Sequence, residues 1–251
     1  MVQGMRRFKE TFSTYKGQYV FIGGTACDII LGKEGVDFRQ TKDLDIVLII
    51  EALDDEFVRT FIDFVQEGGY EHINKGTGGN QFYRFEKPAN SQYPYMIELF
   101  SRRPDYLKTL DAVLSPIHIN NEVVSLSVIL LNDEYYSLLR QGTIEIDGVS
   151  VLDLEYLVLF KMRAFIDLKE RKEKGEKVDS KSIRKHKNDI IRLVVNMRPN
   201  SKVHIEGEVF RDAVQFLKEM EYEDIDLKSL GIRGVNQKEV LERIKECYNL
   251  E

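Results

Sequence analysis

Two aspartates one residue apart, Asp43 and Asp45, open the apolar stretch "DLDIVLII". In an extended strand alternate side chains share a face. The two carboxylates therefore point the same way, with Val47 and Ile49, while Leu44, Ile46 and Leu48 point the other. Two like charges at the mouth of a strand apolar enough to be buried repel each other unless a cation sits between them. Oxygen-only donors suit Mg2+ or Mn2+, with water and phosphate oxygens filling the remaining positions. A third acid, Glu98 in "YMIELFS", shares its face with Met96 and Phe100. A carboxylate among apolar residues is costly to bury unless paired or metal-bound. The plainer alternative is that all three acids are strand-end or edge charges facing water.

Upstream lies "FIGGTACDII". A strand that runs through Gly23 and Gly24 to Thr25 and then a helix makes a tight turn whose backbone can approach a phosphate closely. The helix N-terminus adds unsatisfied N–H groups and a positive dipole end. The Thr25 hydroxyl could donate to a phosphate oxygen or cap the helix. The same glycines could equally be turn chemistry alone.

Further along, Leu157, Lys161 and Phe165 recur at four-residue spacing on a helical stretch, so Lys161 lies in line with apolar neighbours. Such a lysine either extends its ammonium out to water or meets something anionic. Asp189 precedes Ile190 and Ile191 at the margin of another apolar helix face, and its plainer alternative is a surface aspartate. The segment 169–187 holds nine Lys or Arg against four Asp or Glu. A run of this kind is a solvated helical hairpin or a basic lip that attracts polyphosphate or RNA.

Gly-Gly-Thr, a helix and then "FRQTKDLDIVL", with Arg39 and Thr41 ahead of the acidic pair, resembles the nucleotidyltransferase fold of the DNA polymerase beta superfamily. The pattern is similar to its AbiEii/AbiGii toxin branch, as are "LVLFKMRAFIDLKER" with Lys161 and "RKHKNDIIRL" with Lys185 and Asp189. It covers residues 18–50 closely and 153–195 more loosely. Thr25 stands where serine is common, and the change keeps the hydroxyl.

The resemblance implies a Mg2+-dependent (or Mn2+-dependent) enzyme that moves a nucleoside monophosphate from an NTP to an acceptor hydroxyl, releasing pyrophosphate. Asp43, Asp45 and Glu98 would be metal ligands and catalytic groups. Lys161 and Asp189 would lie near the triphosphate and metal, and Gly23, Gly24, Thr25, Arg39 and Thr41 would hold the nucleotide. RNA as acceptor and an antitoxin protein as partner are further implications. A non-catalytic nucleotide-binding protein on the same fold is the competing expectation. A metal-dependent nuclease is a weaker one, because it leaves Gly-Gly-Thr unexplained.

The elements that must position these residues are readable from periodicity and punctuation. A short helix is expected over 5–15, then the strand "YVFIGG", a helix "TACDIILG" ending at Gly32, and the strand from Asp43. A helix over 54–66 should close at Gly68-Gly69. The segments "YEHINKG" and "NQFYRFEK" form strands about a turn at "KGTGGN", and "PYMIELFS" forms another. A hairpin in "PIHINNEVVSL" turns at Asn120-Asn121. A helix "NDEYYSLLRQG" and a hairpin turned at Asp147-Gly148 follow. Beyond the N-cap Asp153 the chain reads as helices, with later ones near 180–196, 208–221 and 237–248. The expected class is α+β: a mixed β-sheet with helices, then a mainly helical C-terminal region, divided into 1–130 and 131–251.

The chain of 251 residues is 43% hydrophobic and 31% charged, ordinary for a folded domain or two. No apolar run long enough to span a bilayer occurs, and "MVQGMRRFKETF" is not a secretory signal, so a cytoplasmic setting without membrane contact is expected. Cys27 and Cys247 offer neither a disulfide framework nor zinc spacing. His72, His118, His186 and His204 show no ligand spacing either. A net charge of −6 argues against a dedicated nucleic-acid coat protein.

Overall fold

The computed structural model describes residues 2–39, 41–72, 84–102, 114–119 and 122–250. The chain separates into two compact units, Met1–Leu152 and Asp153–Glu251, and each is described by itself.

The first unit begins with α1 (Met5–Phe12), extended by a 3-10 turn over Ser13–Tyr15. β1 (Tyr19–Ile22) leads directly into α2 (Gly23–Lys33), and β2 (Asp43–Leu48) is followed by α3 (Asp55–Gly68). Asp54 accepts from the Phe57 N–H as the N-cap of α3, and Gly69 closes that helix at φ 61°, as the paired glycines indicated. β3 (Glu71–His72), β4 (Arg84–Glu86) and β5 (Met96–Arg102) come next, then the antiparallel pair β6 (Leu114–Ile119) and β7 (Glu122–Leu131). α4 (Asp133–Gly142), β8 (Thr143–Ile146) and β9 (Val149–Leu152) complete the unit. The expected turns at "KGTGGN" and Asn120-Asn121 lie outside the described residues.

The sheet runs β3-β4-β5-β2-β1-β9-β8, with β7 also pairing β5. It is mixed: β2 lies antiparallel to β1 and parallel to β5, while β4 lies antiparallel to β5. β4 takes the 96–98 stretch of β5 and β7 takes the 100–102 stretch.

Alternation splits the sheet into a core face and a polar one. Tyr19 and Phe21 of β1 stand beside Leu48 and Ile46 of β2. They meet Phe8 and Phe12 of α1 and Phe57 of α3 in edge-on, tilted and stacked ring contacts, with Phe8 and Phe21 centroids 5.0 Å apart. Phe85 of β4 joins that cluster through Phe61, at 5.7 Å. These side chains are essentially fully buried, and at about 25 cal/mol per Å2 of apolar surface they are the main stabilising contribution here. On the opposite face Asp43, Asp45, Arg84, Glu86, Met96 and Glu98 are all half-buried.

The division falls after Leu152, later than the expected boundary near residue 130. β8 and β9 turn through Asp147 and Gly148, both at positive φ, and β9 then pairs with β1. That long-range pairing draws residues 131–152 into the first unit.

The second unit consists of α5 (Leu154–Glu173), α6 (Ser180–Val195), α7 (Gly207–Met220) and α8 (Gln237–Tyr248). Asp153 accepts from the Leu154 N–H at the head of α5, and Asn236 with Glu239 forms a capping box on α8, each satisfying N–H groups a helix start leaves open. α5 packs on α6 and α7, and α6 on α8. Leu157, Phe165, Ile190, Ile191, Phe216 and Ile244 are buried, with Phe165 and Phe216 edge to face at 5.4 Å. Among the described residues no helix is long and apolar enough to cross a membrane.

Candidate active site

The polar face of the first unit's sheet gathers three of the acids singled out above. Asp45 is the register partner of Glu98 across the parallel β2–β5 pair, and neighbouring strands lie about 4.8 Å apart. Asp43, two residues earlier on β2, shares their face. On the other side of Asp45 its register partner is Ile22, the last residue of β1, so the carboxylate stands where α2 begins.

Gly23 shows how tight that junction is. It adopts φ +64°, and a Cβ placed there would come 1.8 Å from Asp45 Oδ2. Both the left-handed backbone and the contact demand glycine. At Gly24 a Cβ would meet Thr41 Oγ1 at 2.8 Å. The chain's own Asp45 and Thr41 side chains thus approach the glycine backbone closely. An anion beside the first turn of a helix is favoured by the dipole, which suits the Asp45 carboxylate there.

Thr25 departs from the cap role foreseen for it. It is fully buried, and its hydroxyl donates to the Asp43 carbonyl oxygen at 2.6 Å. It does not cap α2, whose N-cap is Ile22 without a side-chain bond. Its effect is positional: it ties the first turn of α2 to the strand that carries the acids. Arg39 lies ahead of β2 with its guanidinium 5.4 Å from the Phe38 ring centroid.

Glu98 has a partner the sequence did not single out. Arg84 of β4 is its antiparallel register neighbour and donates from Nε to Glu98 Oε1 at 3.0 Å, with a second, shorter bond from the guanidinium to the same oxygen. The side chains are 28% and 12% exposed. Arg84 also lies 3.9 Å from Glu86. Alternation in "YRFEK" puts Arg84 and Glu86 on one face of a strand, but only the register of β4 against β5 reveals which acid Arg84 meets.

The chemistry of Asp43 and Asp45, oxygen-only and on one face, fits a hard divalent cation. As the side chains stand, however, no group of three or more His, Cys, Asp or Glu among the described residues is drawn together closely enough to hold an ion, and Glu98 is engaged by Arg84. The donor pair fits, and the third candidate, Glu98, is held by a cation of the protein itself.

Lys161 and Asp189 both belong to the second unit. Lys161 Nζ donates to Asp189 Oδ2 at 3.1 Å, with side-chain exposures of 6% and 0%. The lysine neither extends to water nor stands open to a phosphate: the anion it meets is Asp189. Burial also overturns the reading of Asp189 as a surface residue. A pair this deep depends on both partners, because breaking a buried ion pair is strongly destabilising.

A scan against protein-family models finds no match for this chain, and a search of curated proteins finds none either.

Proposed function

We propose that the chain is a nucleotidyltransferase whose reaction centre is the polar face formed by Asp43, Asp45 and Glu98. The observation that carries this reading is the register of β2 between β1 and β5. It sets Asp45 between the glycine start of α2 and Glu98, with Asp43 on the same face.

A bound Mg2+ or Mn2+ would neutralise developing charge on the triphosphate and lower the cost of bringing an acceptor oxygen to phosphorus. Asp43 and Asp45 are the residues that would hold it. Gly23 and the first turn of α2 supply a positive dipole end beside the same spot. An acceptor hydroxyl forms a bond to the α-phosphorus, the bond from that phosphorus to the bridging oxygen breaks, and pyrophosphate leaves. Glu98, once released from Arg84, would take the hydroxyl proton. Phosphoryl transfer of this kind depends mostly on positioning and charge neutralisation, and rigid strands with a tied helix start provide positioning. Thr25 and Gly23 act as positioning residues.

A second reading, nucleotide binding without transfer, is favoured by one specific observation. Glu98 already satisfies Arg84.

Pyrophosphate release from labelled NTPs, with Mg2+ and a pool of cellular RNA and small molecules as acceptors, separates the readings. Transfer predicts release that disappears in Asp45→Asn while the fold survives. Release unchanged in Asp45→Asn overturns the assignment. Nucleotide binding with no release supports the second reading.

A further inference from the structure

The basic segment 169–187 has a use that the nucleotidyl-transfer reading leaves open. In the second unit, α5 and α6 flank a cavity of about 560 Å3. Its rim carries Lys169 and Lys172 from α5 and Arg184 and Lys187 from α6, and Phe165 and Ile183 line it below. Four cations on one small concavity repel one another unless an anion offsets them.

The protein supplies part of that offset from elsewhere. Glu223 Oε2 accepts from Lys187, and Glu223 Oε1 lies 3.9 Å from Lys169. One carboxylate therefore spans lysines on two different helices. Glu219 also pairs with Lys169, and Lys172 Nζ donates to Ser180 Oγ at 2.8 Å. Arg184 is exposed on the same rim. Glu173 and Glu223 line the cavity and Glu219 pairs with Lys169, so three acids stand against four cations and the concavity stays net positive with Glu223 in place.

We propose that this concavity is a binding site for a small polyphosphate anion, and that Glu223 is an internal stand-in which the ligand displaces from Lys169 and Lys187. The geometry matches the chemistry. Phosphate oxygens accept from several ammonium and guanidinium groups at once, and arginine's planar fork holds two of them together. A cavity of this volume falls in the range for small-molecule ligands. An extended RNA backbone would instead require a basic track continuing beyond the cavity.

Titration calorimetry of the full-length chain with tripolyphosphate tests this, run in EDTA so that no divalent cation contributes. One-to-one binding that weakens with added salt is expected. Arg184→Glu should weaken it at least tenfold, and Glu223→Gln should tighten it severalfold. An Asp43→Asn/Asp45→Asn variant should bind as the parent does, which separates this site from the proposed reaction centre. Absence of binding by both the parent and folded Glu223→Gln overturns the proposal, as does Arg184→Glu binding unchanged. So does binding of a single-stranded RNA oligomer by a chain that ignores tripolyphosphate.

Discussion

Glu98 sits in register between Asp45 on one neighbouring strand and Arg84 on the other, and its carboxylate is bonded to the arginine. On the proposed reading, a divalent cation and an internal one thus compete for one side chain. Replacing Arg84 with Gln removes a positive charge next to the two aspartates and releases Glu98. Mn2+ affinity, read by electron paramagnetic resonance or calorimetry, should rise about tenfold, since a unit charge at this range in a partly buried setting contributes more than about 1 kcal/mol. Asp45→Asn should abolish binding. If the parent binds Mn2+ but Arg84→Gln leaves the affinity unchanged, the competition is not there.

Gly23→Ala places a methyl group 1.8 Å from Asp45 Oδ2 at a φ of +64°. The clash and the left-handed backbone together should cost about 2–4 kcal/mol of unfolding free energy, measured by urea denaturation. Any folded protein that remains should have a displaced Asp45 and weaker Mn2+ binding. A neutral effect on both would show that this junction relaxes easily.

Thr25 offers a conservative control. Thr25→Val keeps the shape but removes the bond to the part-buried Asp43 carbonyl, at a cost of about 1–3 kcal/mol. Thr25→Ser restores the hydroxyl and should recover most of that stability. Equal stability of the two variants would mean that the bond contributes nothing.

The Lys161–Asp189 pair invites a double-mutant cycle. Lys161→Met or Asp189→Leu alone breaks a buried ion pair and should destabilise by about 3–5 kcal/mol. The double variant removes both charges and should recover much of the loss. Fully additive losses would mean that the two side chains do not act as a pair.

Acid should loosen the second unit through Glu155. Burial pushes this carboxyl upward, but hydrogen bonds and charge from Arg198 outweigh it and hold it below its ordinary 4.5. A carboxyl with a depressed folded value contributes stability that is fully present above its unfolded value and is lost as pH falls through the folded one. Unfolding free energy should therefore be flat near neutrality and drop once pH falls past the ordinary carboxylate range. Arg198→Gln should flatten that drop, and an acid profile identical to the parent's would assign it to other groups.

Much of this protein is written locally in its sequence. Strand alternation alone places Asp43 and Asp45 on one face of β2. Caps at Asp54, Asp153 and Asn236, with the closure at Gly69, mark helix ends because those residues satisfy or relax the backbone within a few positions. The α+β order, the Asp147-Gly148 turn and the helical second half follow from the same short-range physics.

What the sequence alone could not determine depends on register between segments distant along the chain. That Asp45 meets Glu98, that Arg84 takes Glu98, that Thr25 bonds Asp43 and that Lys161 meets Asp189 are all choices made across strands or helices. The division after Leu152 rests on β9 finding β1. Side-chain periodicity states which way a residue points; only packing states what stands opposite it, because a one-residue slip exchanges every partner.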